Sequence, residues 1–331
     1  YISAPAVTAY AAAGYLLFDS PEDMISAIFG DKTGFDHGTT GELLDKDGNV
    51  LPIQYDYDRV PVEESAAQDV VSHVSPVGQS VRWNGFTLTV DSFMYDSATK
   101  CGFFTYLLEN PDGLPEYRLQ NTGEIWYYGV PDLVRVNQYG YPYIIRNRTT
   151  DTCLAATYYF QWDERWGKEL EICLRSQTLQ EQEETSDVIR IPLNGAEALH
   201  HETACDGDVV ITPICIAMDI RNMEFLRREE YGVSWIHTDN IDSLAIRFAD
   251  GTDYTVFDDN TINYGFCVTD LPKDNVQTEI FVSPEEDPNG EGYFYVEDSI
   301  GYCLLTTMFN RIIDLDEVTA VVINGVELPL D

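Results

Sequence analysis

A chain of 331 residues has the length of two ordinary domains, and its 44% hydrophobic content is enough to fill their cores. Its 57 Asp and Glu against 19 Lys and Arg leave a formal charge of -38, and a surface of that sign repels phosphate backbones and anionic headgroups. Nucleic acid is therefore excluded as a partner, and so is a membrane surface held by charge.

Residues 2–18 are mostly small and apolar but are broken by Pro5 and Gly14. They fall short of the roughly 20 residues of a membrane span, and no basic segment precedes them as in an intact signal peptide. A start at Tyr1 rather than Met is what a mature or excised form would show. Ser20-Pro21-Glu22-Asp23 reads as a helix start, with an N-cap, a proline at the first position and acids in the first turn. Met24, Ile25, Ile28 and Phe29 supply its apolar face and Gly30 stops it, so a short amphipathic helix is expected to dock on the β-structure that follows. Asp45-Lys46-Asp47-Gly48-Asn49 has the look of a calcium loop. Asp56 stands where such a loop needs Glu, however, and a hairpin turn at Asp47-Gly48 is the better reading. Residues 63–74 suggest a second short helix ending before Pro76.

Residues 77–109 alternate: Phe86, Leu88 and Val90 point one way, and Thr87, Thr89 and Asp91 the other, as in a half-buried strand. Asn84-Gly85 precedes it as a tight turn, and Asp96-Ser97 turns the chain into a second apolar strand. Further strands are expected at 124–128, 133–136, 141–146, 152–160, 168–175 and 187–191. Residues 194–208 carry little periodicity, and the domain boundary is placed there. The β-pattern then restarts at 209–214, with hairpins marked by Asp250-Gly251 and Asn324-Gly325 and further strands at 263–268, 278–282, 292–296 and 302–307. The expected class is all-β: residues 1–75 form a linker and short helices packing on a first β-sandwich at 76–200, and a second β-sandwich spans 201–331.

No CxxC, HExxH, GxSxG or phosphate-loop pattern occurs, so no cofactor, metal or catalytic residue is assigned and the chain is read as non-enzymatic. His200-His201-Glu202 with Cys205 has metal-ligand residue types, but adjacent histidines on an extended chain point apart, which favours a polar loop. Seven scattered cysteines read mainly as small buried hydrophobes. Cys153 and Cys173, on strands that would form a hairpin around 163–166, are the expected pair if a disulfide exists. The chain has 21 Tyr, 15 Phe and 5 Trp, and three groups of them cluster in the first domain, at Trp126-Tyr127-Tyr128, Tyr139-Gly140-Tyr141-Pro142-Tyr143 and Trp162 to Trp166. Aromatics fill sandwich cores, but consecutive ones in a strand face both ways. Trp126, Tyr127, Tyr141 and Tyr143 are therefore the candidate ligand-binding residues, suited to a sugar or a protein interface.

Three stretches together carry a resemblance: VGQSVRWNGFTLTVDSFMYDSATKCGFFTYLLE at 77–109, LAIRFADGTDYTVF at 244–257 and DLDEVTAVVINGVELPL at 314–330. The chain resembles the extracytoplasmic region of anti-sigma-factor-like, single-pass membrane proteins of Gram-positive bacteria. Residues 11–30, with Ile28-Phe29-Gly30, resemble the small-residue stretch and short helix that follow the membrane helix in such proteins. The resemblance implies two immunoglobulin-like sandwiches outside the membrane, anchored by an N-terminal helix absent from this chain. It implies no catalytic residues. The function expected is that of an extracytoplasmic sensor or binding region whose partner is an envelope protein or a glycan. The alternative is a cell-surface glycan-binding or adhesion module.

Overall fold

The computed structural model describes residues 17–25, 28–29, 43–44, 50–51, 64–114, 117–118, 125–126, 133–145, 148–163, 165, 167–175, 185–193, 196–230, 233–270, 280–281, 294–295 and 303–331. These residues are mostly β, and the chain divides into two compact units. Residues 1–41, 57–200 and 311–313 form one unit; residues 42–56, 201–310 and 314–331 form the other. Among the described residues no helix is long and apolar enough to cross a membrane.

Among the described residues the first unit has two helices and two principal sheets. Helix α1 (Pro21–Ile25) is capped by Ser20, whose hydroxyl accepts from the Asp23 amide at 3.1 Å, so an orphan donor of the first turn is satisfied. Helix α2 (Glu64–Ser72) packs against it. Strands β1 (Ser75–Trp83), β2 (Phe86–Asp96), β3 (Cys101–Glu109), β4 (Val134–Val136), β5 (Tyr139–Ile144), β6 (Cys153–Gln161), β7 (Glu169–Leu174) and β8 (Ile189–Pro192) follow. A five-stranded antiparallel sheet has the order β1-β2-β3-β6-β5, and a three-stranded one the order β8-β7-β4. One core joins their facing sides, with Leu88, Phe104, Tyr106 and Phe160 from the larger sheet and Leu170, Ile172 and Ile189 from the smaller. The Phe104 and Tyr158 rings stack in it at 5.2 Å.

Strand β2 departs from the half-buried reading. It is buried on both faces for most of its length. Its alternation is also interrupted: Val90 pairs with Tyr106 and Ser92 with Thr105, so Asp91 is the extra residue of a bulge. Leu88 and Val90 lie on the core side before the bulge, and Phe93 and Tyr95 on the same side after it. The other face is covered by the N-terminal segment. Met24, Ile25, Ile28 and Phe29 are all buried, the Ser92 hydroxyl donates to Met24 Sδ at 2.9 Å, and Phe29 meets Phe103 edge-on at 6.1 Å. Cys153 and Cys173 do not share a hairpin, because β6 joins the five-stranded sheet and β7 the three-stranded one.

The second unit has strands β9 (Glu202–Ala204), β10 (Val209–Ile211), β11 (Cys215–Asp219), β12 (Leu244–Phe248), β13 (Asp253–Phe257), β14 (Tyr264–Asp270), β15 (Leu304–Phe309), β16 (Val318–Ile323) and β17 (Val326–Pro329). They form sheets ordered β9-β10-β11-β15-β14 and β13-β12-β16-β17. Strand β9 lies in the stretch whose weak periodicity suggested a linker; three residues are too few to show a period of two. Buried polar groups tie the unit together: the Tyr254 hydroxyl donates to the Asn263 carbonyl and also lies 3.0 Å from Asn310 Oδ1. Leu43–Leu44 pairs antiparallel with Val50–Leu51, while the turn read as a calcium-like loop lies outside the described residues.

Candidate functional site

Among the described residues strand β5 is an edge strand, paired on one side only with β6. Period-two geometry puts Tyr139, Tyr141 and Tyr143 on one face, opposite Gln161, Tyr159 and Thr157 of β6. Tyr139 is 54% exposed and Tyr141 45%, in a unit whose other large described aromatics are mostly buried. Their rings meet edge to face at 5.3 Å and 81°, and their hydroxyls hydrogen-bond to one another. Tyr143 is half-buried and packs edge-on against Tyr159 at 5.2 Å.

The intervening residues fix this ledge. Gly140 lies where a Cβ would stand 2.0 Å from the Tyr159 carbonyl oxygen and 2.5 Å from the Tyr158 ring, so only glycine lets β5 come this close to β6. Pro142 gives up an amide donor, which is tolerated at an edge. Burial, and behind it the neighbouring tyrosines, pushes the Tyr158 and Tyr159 phenols well above their ordinary range.

Of the four sequence candidates, Tyr141 and Tyr143 are brought together here, and Tyr139 joins them. Its signal was legible as the first member of the alternating Tyr139-Gly140-Tyr141-Pro142-Tyr143 run. Trp126 lies on a separate two-stranded ladder, Ile125–Trp126 with Tyr117–Arg118, and is not on β5. Tyr127 lies outside the described residues.

A cleft of about 540 Å³ opens elsewhere in the unit, lined in part by β1, β8 and the end of α2. Phe93 and Tyr95 contribute apolar wall, and His73, Arg190 and Glu197 contribute polar groups. The His73 Nδ1 lies 2.9 Å from the Asp69 carbonyl and therefore donates to it. Both flanking edges are guarded. Pro76 and Pro192 remove amide donors, and the register of β1 breaks between Pro76 and Gln79, with Gly78 at φ 61.

Among the described residues no three His, Cys, Asp or Glu side chains come together as a metal site. His200 belongs to the first unit, where its amide donates to Asp69 Oδ2 at 2.9 Å, and His201 to the second. Burial and then Asp208, Asp331 and Asp206 push the Cys205 thiol up, which disfavours the thiolate a metal would need.

No family model matches the chain, and no curated protein matches it. Among solved structures, the crystal structure of a conserved domain protein from Bacillus anthracis aligns with 76% of this chain and 77% of its own, at 8% identity and a TM-score of 0.35.

Proposed function

We propose that this chain is the non-enzymatic, extracytoplasmic sensor or binding region of a membrane-anchored, anti-sigma-factor-like protein. In this reading the two units are immunoglobulin-like sandwiches and α1 is a short amphipathic helix docked on the first. The protein acts by binding an envelope protein or glycan. The observation that carries the reading is the tyrosine ledge: Tyr139 and Tyr141 remain 54% and 45% exposed on an edge strand of a sheet whose three central strands are largely buried. Rigid amphipathic rings supply contact area at small entropic cost, which is what a recognition surface needs. The resemblance of residues 77–109, 244–257 and 314–330 supplies the cellular setting.

Signalling by such a region requires a ligand that binds one conformation better than another. The test is made in the full-length anchored protein. Removal of this region, or Tyr139→Ala with Tyr141→Ala, should change how the cytoplasmic segment holds its partner. Partner binding that ignores removal of the whole region overturns the reading.

The perpendicular Tyr139 and Tyr141 pair also favours the second reading, a glycan-binding or adhesion module, because a ring face beside hydroxyl groups suits a sugar. Titration with soluble peptidoglycan and wall-glycan fragments separates the two. Saturable binding lost in Tyr141→Ala supports the module, and no binding by the parent chain removes it.

A further inference from the structure

We infer that residues 17–25 with Ile28 and Phe29 form a strap that opens from the five-stranded sheet as a unit, without unfolding the sheet. The first ground is the surface beneath it. The register places Ser92, Thr105 and Thr157 side by side across β2, β3 and β6, on the face away from the shared core, and all three are fully buried. Met24 sits over this hydroxyl row, where the Ser92 hydroxyl is left with a thioether, a weak acceptor, besides its 2.5 Å contact with Thr105. The Thr157 hydroxyl has no hydrogen-bond partner among the described residues. Covering such a row costs desolvation that closure does not fully return, although the same face also carries the buried Met94, Phe103 and Tyr159.

The second ground is how the strap is held. Arg148 spans its exposed side: the guanidinium lies 5.6 Å from the Phe18 ring centre and 3.6 Å from Asp23, and both charged side chains are 43% exposed. The ion pair is screened and the cation–π contact small, so what holds the strap is the burial of Leu17, Phe18, Met24, Ile25, Ile28 and Phe29, which opening would expose. At the far end Phe29 rests on Phe103, Phe103 on Tyr159, and Tyr159 on Tyr143 of the edge strand. The strap therefore shares a sheet face and an aromatic row with the tyrosine ledge, and its opening would uncover the inward continuation of that ledge. A regulatory use of the opening rests on the binding reading above; the opening itself does not.

Native-state hydrogen exchange on the 331-residue chain, without ligand, tests it. The Met24 amide, bonded to the Ser20 carbonyl, and that of Ile25 should exchange at least about tenfold faster than the amides of β3, with little denaturant dependence. Arg148→Ala should speed exchange at Met24 and Ile25 several-fold and leave β3 unchanged. Thr157→Val, which removes the buried hydroxyl at nearly constant shape, should slow exchange at the same two amides. Exchange at Met24 and Ile25 that matches β3 in rate and denaturant dependence, or variants that shift both regions equally, overturns the inference. Such a failure leaves ligand binding at the ledge untouched, and a ledge without a ligand leaves the exchange result standing.

Discussion

Asn324 reaches back 82 residues to Asp242: its side-chain carbonyl accepts from the Asp242 amide at 2.7 Å and from Ser243 at 3.0 Å. Its side-chain NH₂ donates to the Asn240 carbonyl at 2.7 Å, so one side chain clasps the loop before β12 to the hairpin between β16 and β17. The residue sits at φ 51, where asparagine is among the few non-glycine residues at ease. Asn324→Gly keeps the backbone and loses the clasp, and is expected to cost about 1–2 kcal/mol. Asn324→Ala adds backbone strain and should cost roughly 1 kcal/mol more than Asn324→Gly. Urea unfolding of the two variants checks the order.

Arg247 of β12 forks onto Asp253 of β13 at 2.8 and 2.9 Å and reaches Glu327 of β17 at 2.7 Å. Its hydrogen bonds hold the Asp253 carboxyl below its ordinary value of 3.8. A carboxylate depressed in the folded state adds stability that is fully present above the unfolded value and is lost as pH falls through the lower folded one. Thermal melts should therefore lose a small increment of stability below the ordinary carboxylate range. Arg247→Ala should flatten that dependence, and salt should shrink the difference between the two proteins because the cluster faces solvent. Parallel melting curves for both proteins across acid pH count against it.

Gly102 has no room for a side chain: a Cβ there would stand 2.6 Å from the Met94 carbonyl oxygen and 2.7 Å from the Phe160 ring. Gly102→Ala must push β2 and β3 apart or displace a core ring, and a loss of about 1–3 kcal/mol is expected, the usual range for overpacking. Equilibrium unfolding gives the number directly. An unchanged midpoint would mean the two strands can separate freely.

Tyr254→Phe removes one hydroxyl and leaves the Asn263 carbonyl and the Asn310 side chain short of a partner in a buried site. A cost of about 1–3 kcal/mol follows, because the desolvation of the stranded groups is no longer offset. Tyr141→Ala, at a half-exposed edge position, should cost far less than Phe160→Ala in the core, for which about 3–5 kcal/mol is usual. Chemical denaturation of the three variants ranks them.

What was legible in the sequence was local. Asn84-Gly85, Asp250-Gly251 and Asn324-Gly325 each join antiparallel neighbours, because the turn chemistry lies within two residues. The alternation that puts Tyr141 and Tyr143 on one face is equally local. What could not be read was long-range. The assignment of β6 and β7 to different sheets, which separates Cys153 from Cys173, depends on which surfaces the two strands bury and not on the turn between them. The exposure of Tyr139 and Tyr141 follows from β5 being the last strand of its sheet, and Pro142, whose missing amide donor suits an edge, is the one residue of β5 that signals it. The bulge at Asp91 was hidden because the residues around it alternate well enough to suggest a regular strand.

That bulge has a consequence for how this gene can change. Loss of one codon elsewhere in β2 would turn the rest of the strand over, exchanging what is dry on one side for what is dry on the other. Loss of the Asp91 codon would not: Val90 and Ser92 would become successive members of one regular ladder, already facing the way they must. Asp91 therefore marks the place where β2 can shorten by one residue and keep its threading, and where a single inserted residue could have entered without rewriting either core.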